Sequence, residues 1–310
     1  MTACLRFADP ATASRYPFAV GATLAFLPAD DALTVTIPIP VTIPPGTILA
    51  ASFVTPAGVT PPHAFTLHAL EGTWPLLPVP SAAGERPDKV ATSPAASSQI
   101  DCWHATAALH DVDVRLRIAC SEPPANYLLV LSWRPLRLDT PPLPPEEPVL
   151  APAPRRLSQM LLDQRLRHHA CSPTSVAMLL ASGTAEEIAA DCLDAATGMF
   201  GSWAMAVRTA GARGCVAAVE LQDDWARPLQ LLRLGRPFAA SIRFGAGELD
   251  GAPLNATSGH LVVVYGIEGD TVLAHDPAAP DLDSVPRRYP VAQFSRAWLL
   301  QRGASYIIAP

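Results

Sequence analysis

The chain has 310 residues, 49% of them apolar and 16% charged, and a net charge of −6. Its length is enough for two domains with their own cores, and its composition excludes a disordered chain. The negative balance gives no reason to expect nucleic acid or an anionic membrane as a partner.

At the N-terminus, Asp9, Pro10, Arg15 and Pro17 interrupt the stretch where a signal peptide would need a basic start and an apolar core. No run of 18 apolar residues suggests a membrane span, so a cytoplasmic protein is expected. Up to residue 134 the pattern is β. Apolar and polar residues alternate at 33–38, 41–43, 64–69 and 111–118, and 127–133 reads as a buried strand. Turn residues separate these runs and no long helix intervenes. A β-sandwich over residues 1–134 is the expectation, with a polar loop at 85–98.

The 34 prolines are dense between positions 135 and 154. Such a segment cannot be helix and has few donors for a sheet. It reads as an extended linker joining two patterned regions, and as the expected site of limited proteolysis.

Beyond the linker the pattern turns helical. Ser172 suits an N-cap and Pro173 a first helical position, Val176, Leu179 and Leu180 recur at helical spacing, and Gly183 ends the run. Thr184 with Glu187 forms a capping box for a second helix. A third helix is expected at 202–212, then a strand at 215–219, a short helix at 227–234 and a strand at 238–244. Residues 260–267 and 271–275 read as a hairpin around Glu268-Gly269-Asp270. A helix at 291–300 and a strand at 304–308 follow. Helices first and an antiparallel sheet second make an α+β domain over 155–310.

Cys171 sits where irregular chain becomes this apolar helix. A helix N-terminus favours thiolate over thiol, so Cys171 is a candidate nucleophile. His260 opens a strand, and folding the hairpin brings it close to Asp276. A carboxylate on one ring nitrogen orients the other toward a nucleophile. His275 should point to the opposite face. Trp203 could line a cleft or pack in a core. His168 and His169, adjacent in sequence, point in different directions and have no second pair at zinc spacing, so no metal and no cofactor is expected. The other cysteines, Cys4, Cys102, Cys120, Cys192 and Cys215, lack the spacing of a disulfide framework and read mostly as buried thiols.

Six separated elements then agree in order: Gln164, the Cys-x-Pro-x-Ser-x-Ala-Met start at 171–178, Gly201-Ser202-Trp203, Leu234-Gly235-Arg236-Pro237, Gly259-His260 and His275-Asp276-Pro277. In these the chain resembles the bacteriocin-processing (double-glycine) cysteine peptidases and their papain-like relatives, over about residues 155–310. The resemblance implies Cys171 as nucleophile, His260 as base, Asp276 as its orienter and Gln164 as a side-chain donor to the oxyanion, with Gln159 as the fallback. It implies a peptidase that hydrolyses a peptide or amide bond through a Cys171 thioester. The same thioester could pass to an amine, or the enzyme could remove a side-chain amide, because water and amine differ only as second nucleophiles. An inert papain-like half with the β region as a recognition module is the alternative from another class.

Overall fold

The computed structural model describes residues 2–56, 58–83, 91–145, 147–180 and 182–310. Residues 85–90 of the expected polar loop lie outside these.

The first part of the chain is built from β1 (Ala3–Ala8), a short helix α1 (Pro10–Arg15), β2 (Leu27–Ala29), β3 (Ala32–Pro38), β4 (Thr47–Val54), β5 (His63–Ala69), β6 (Gly72–Pro75), β7 (Ala96–Ser98), β8 (Cys102–Ala105), β9 (Asp113–Ile118) and β10 (Leu128–Pro135). The strands form two five-stranded antiparallel sheets, ordered β1-β10-β4-β8-β7 and β2-β3-β9-β5-β6. Alternation decides which face is buried. Leu49, Ala51 and Phe53 of β4 share one apolar cluster with Val35 and Ile37 of β3, Phe65 and Leu67 of β5, and Leu116 of β9. Residues 41–43, expected as a strand, supply only an isolated bridge, Ile43 to Leu109.

The second part comprises β11 (Val149–Leu150), α2 (Cys171–Leu179), α3 (Ala185–Cys192), α4 (Trp203–Gly211), β12 (Val216–Leu221), α5 (Ala226–Arg233), β13 (Phe238–Phe244), β14 (Thr257–Glu268), β15 (Thr271–His275), β16 (Pro286–Pro290), α6 (Val291–Trp298) and β17 (Ala304–Ala309). Its antiparallel sheet runs β12-β17-β13-β14-β15-β16, with β11 also beside β14. The capping box at Thr184 and Glu187 is present, and the 260–275 hairpin turns through Gly269 in the left-handed region. The proline-rich segment is strand at both ends. Pro135 pairs opposite Thr47, and Leu150 pairs opposite Gly266. A Cβ at Gly266 would lie 2.6 Å from Leu150 Cδ2 and 3.2 Å from the Val149 carbonyl oxygen, so glycine eases this close approach.

The two parts meet along β12. As an edge strand it would present unpaired amides. The Val219 N–H donates to Ser52 Oγ at 3.1 Å and the Leu221 N–H to Ser132 Oγ at 3.0 Å. Ile48, Ala50 and Val54 of β4 and Leu128 and Val130 of β10 join the apolar cluster of the second part. A Cβ at Gly211 would run into Val54. Arg134, fully buried, donates to the Gln222 and Leu299 carbonyls at 2.8 and 2.7 Å. Buried Glu220 accepts two hydrogen bonds from Arg6, at 2.7 and 2.8 Å, and one from Tyr16 at 2.8 Å. At the start of α4, Asp101 accepts the Trp203 N–H at 2.7 Å.

Candidate active site

Helix α2 begins at Cys171, with Ala170 at the N-cap position and no side-chain cap. Ser172, expected to cap, lies inside the helix, because its hydroxyl pairs with the Tyr306 hydroxyl at 2.9 Å instead. Pro173 falls in the first turn, where no intrahelical N–H bond is lost. The Ser175 hydroxyl donates to the Leu261 carbonyl at 3.2 Å, which ties the helix start to β14. Cys171 is thereby held beside the strand that carries His260.

Val263 pairs opposite His275, so the chain leaves β15 toward Asp276 opposite residue 262. Position 260 shares the face of 262, by the two-residue period of a strand. The His260 Nε2–H donates to Asp276 Oδ1 at 2.7 Å. The same oxygen accepts the Ala278 N–H at 2.8 Å, and Oδ2 accepts the Tyr289 hydroxyl at 2.6 Å. Both His260 and Asp276 are buried. The His260 ring and the Cys171 thiol line the same cavity, and each acts on the charge of the other.

Charges follow from these contacts. Burial pushes the Cys171 thiol up, but the hydrogen bond and charge of His260, with the Leu261 and Ser172 N–H groups, outweigh it and leave the thiol more acidic than an ordinary cysteine. Burial opposes the imidazolium of His260; Asp276 and then Cys171 overcome it, and its pKa rises to about 10. Burial likewise pushes Asp276 up, and His260, Tyr289 and the Ala278 N–H bring it below the usual carboxylate range. These shifts all favour a thiolate on Cys171, an imidazolium on His260 and a carboxylate on Asp276. That can deliver a nucleophile to a carbonyl carbon and a proton to the departing atom.

The glutamine expectation needs correcting. Gln164 is exposed, on a turn that Asp163 organises by accepting the Arg165, Leu166 and Arg167 amides. It does not line the cavity that holds Cys171 and His260. Gln159 does. Gln159 begins a 3-10 turn, Gln159–Leu161, capped by Ser158. Its N–H donates to the Pro277 carbonyl at 2.8 Å, and the Ser158 hydroxyl donates to the Ala279 carbonyl. Segment 158–159 is thus fastened to the loop that carries Asp276. Gln159 Nε2 spends one proton on the Arg167 carbonyl at 2.7 Å, which leaves a second.

The cavity has a volume of about 810 Å³. A second one, about 690 Å³, lies at the far end of α2 beside Leu179, Cys215 and Arg236, away from the thiol–imidazole contact. Trp203 is buried at the start of α4, with the Arg302 guanidinium 5.8 Å from its ring, and lines neither cavity. His275 faces away: its Nδ1 pairs with the Arg155 carbonyl at 3.2 Å and its ring packs on Tyr265. Among the described residues no three His, Cys, Asp or Glu side chains converge as metal ligands would, and no helix is long and apolar enough to cross a membrane. Tyr289 had no signal in sequence. Its strand is five residues long and bounded by Pro286 and Pro290, which hides it from any strand pattern.

Residues 155–306 match the model of the Peptidase_C39 like family. A solved structure of a candidate C39-like peptidase from Bacillus anthracis is 16% identical, with 53% of this chain and 98% of that chain covered and a TM-score of 0.39. No curated protein matches the chain.

Proposed function

From the relationship of residues 155–306 to the C39-like, papain-like cysteine peptidases, we propose that this protein hydrolyses a peptide or amide bond through a thioester on Cys171. The sulfur attacks the carbonyl carbon. As the C–S bond forms and the C–N bond breaks, the His260 proton goes to the leaving amine. The Cys171 N–H and the free Gln159 Nε2–H hold the oxyanion. Water then attacks the thioester, giving a proton to His260, and the acid leaves as the C–S bond breaks and the thiolate–imidazolium pair is restored. Asp276 fixes the ring and stabilises the imidazolium.

The observation that carries this reading is that Cys171 and His260 line one cavity while His260 holds Asp276 at 2.7 Å. Residues 1–134 act on this reading as a β-sandwich accessory domain, 135–154 as the connection and 155–310 as the peptidase domain. Free cysteines throughout support a reducing, cytoplasmic setting.

The test is digestion of a peptide library read by mass spectrometry, with Cys171→Ala as the control and glycinamide as an added amine. New C-termini that vanish in the variant support hydrolysis. Glycinamide adducts in their place move the activity to acyl transfer. An unchanged library, together with no labelling of Cys171 by an epoxysuccinate, leaves a binding protein.

A further inference from the structure

β16 pairs with β15 so that Arg287 lies opposite Ala274 and Tyr289 opposite Val272. Arg287 and Tyr289 are two residues apart and share the face that carries Asp276. Arg287 lines the cavity of Cys171 and His260. Its charge is poorly matched there. Nη1 reaches only the Gly251 carbonyl, at 3.4 Å, and the buried Nε has no hydrogen-bond partner. Asp281, whose carboxyl the Arg287 charge helps to lower, is exposed and already accepts the Ser284 N–H and hydroxyl. The next residue, Arg288, points to the other face and is paired with Glu268 at 2.8 Å.

The cavity wall shows the same bias. Met160, Leu254 and Pro280 make it apolar, Arg287 brings a guanidinium to it, and among the described residues no Asp or Glu side chain lines it. The whole chain is nevertheless negative by 6 charges. A guanidinium at the wall of an apolar cavity with no acid beside it suits a carboxylate. We propose that Arg287 selects anionic substrates, peptides with an acidic side chain next to the bond that Cys171 attacks. This rests on the reading of Cys171 as the nucleophile.

The test uses two alkylating agents that differ only in charge, iodoacetate and iodoacetamide. In both, the Sγ–C bond forms as iodide leaves. The ratio of their rates is read at Cys171 by peptide mapping, whatever the absolute rates are, and compared with the ratio at glutathione. In the wild type at low salt the ratio should exceed that of glutathione, and the excess should shrink in 0.5 M salt as the field is screened. Arg287→Gln should lower the ratio roughly three- to tenfold. Arg287→Lys should keep most of it, and Arg288→Gln, the same charge change on the outward face, should leave it within about twofold. A wild-type ratio no higher than that of glutathione overturns the proposal without any variant. So does an Arg287→Gln ratio equal to that of the wild type. The iodoacetamide rate alone tests the nucleophile, so the failure of one reading is separable from the failure of the other.

Discussion

The Tyr289 hydroxyl donates to Oδ2 of Asp276 at 2.6 Å, while His260 holds Oδ1 at 2.7 Å. The carboxylate is therefore gripped from both oxygens and cannot rotate away from the ring. Removing one grip should loosen the other. Tyr289→Phe leaves Oδ2 buried without its donor, which costs about 1–3 kcal/mol. We expect the rate of Cys171 alkylation at neutral pH to fall about tenfold for each 1.4 kcal/mol lost in the active ion pair. The apparent His260 pKa, followed by NMR, should move down from about 10. A hydroxyl that only packs would lower stability and leave that titration in place.

Asp276 itself gives a graded series. Asp276→Asn keeps the shape and an acceptor, so turnover should fall modestly. Asp276→Ala removes the partner of His260 and should cost roughly tenfold to a thousandfold in rate. Steady-state kinetics on any substrate found by the library screen measures both.

The pH profile follows from the same pair. The thiolate–imidazolium form exists between the Cys171 pKa, lowered from 9.0, and that of His260, near 10. Turnover should rise as Cys171 ionises and fall as His260 loses its proton. Stability carries a matching sign. The folded pKa of His260 lies above its unfolded value of 6.5, so its contribution is full below 6.5 and is lost as pH rises through 10. In His260→Ala the Cys171 midpoint should move up, as only the Leu261 and Ser172 N–H groups then oppose burial.

Asp101 supplies a test at the contact between the two parts. Burial raises its pKa from 3.8 to about 6, against the Trp203 N–H and Arg302. The folded state therefore binds its proton more tightly than the unfolded chain, and stability is lost as pH rises from about 4 through 6. Asp101→Asn keeps an acceptor for the Trp203 N–H without the charge. Urea titrations should find it more stable than the wild type above pH 6, by on the order of 1–3 kcal/mol, with the gain vanishing near pH 4.

The capped edge of β12 predicts a cost for small changes. Ser132→Ala leaves the buried Leu221 N–H without its acceptor and should cost about 1–3 kcal/mol in urea unfolding; Ser52→Ala should do the same for Val219. Residues 155–310 alone would expose both amides and the apolar face that β4 and β10 cover. Sedimentation of that fragment should show association, which co-expression with residues 1–135 reverses.

What the sequence disclosed depended on local signals. Thr184 with Glu187, Gly269 in its turn and the alternation at 64–69 each carry their own mark, and each element is where those marks put it. β4 carries none: Thr47–Val54 is buried on both faces, one against the second sheet and one against β12, so its residues do not alternate. The site divides the same way. Cys171 and Asp276 stand at element ends that spacing can locate, whereas His260, expected to open a strand, is the fourth residue of β14 (Thr257–Glu268). Tyr289 is recognisable only by what it touches, from a five-residue strand between two prolines, and Gln159, the fallback in sequence, is singled out by the 158–159 attachment to residues 277–279. Gln164 stood nearer to Cys171 in sequence, but its turn projects it into solvent.

The central claim is that Cys171 is held as a thiolate by His260, and cysteine-resolved alkylation tests it most directly. Burial raises the thiols of Cys4 and Cys102 well above the ordinary value, Cys192 to about 12, and Cys120 and Cys215 by less. With limiting iodoacetamide at pH 6–7, peptide mapping should find Cys171 labelled first and far ahead of the other five, and His260→Ala should abolish that lead. Labelling of Cys120 or Cys215 ahead of Cys171 in the folded wild-type protein would contradict the account.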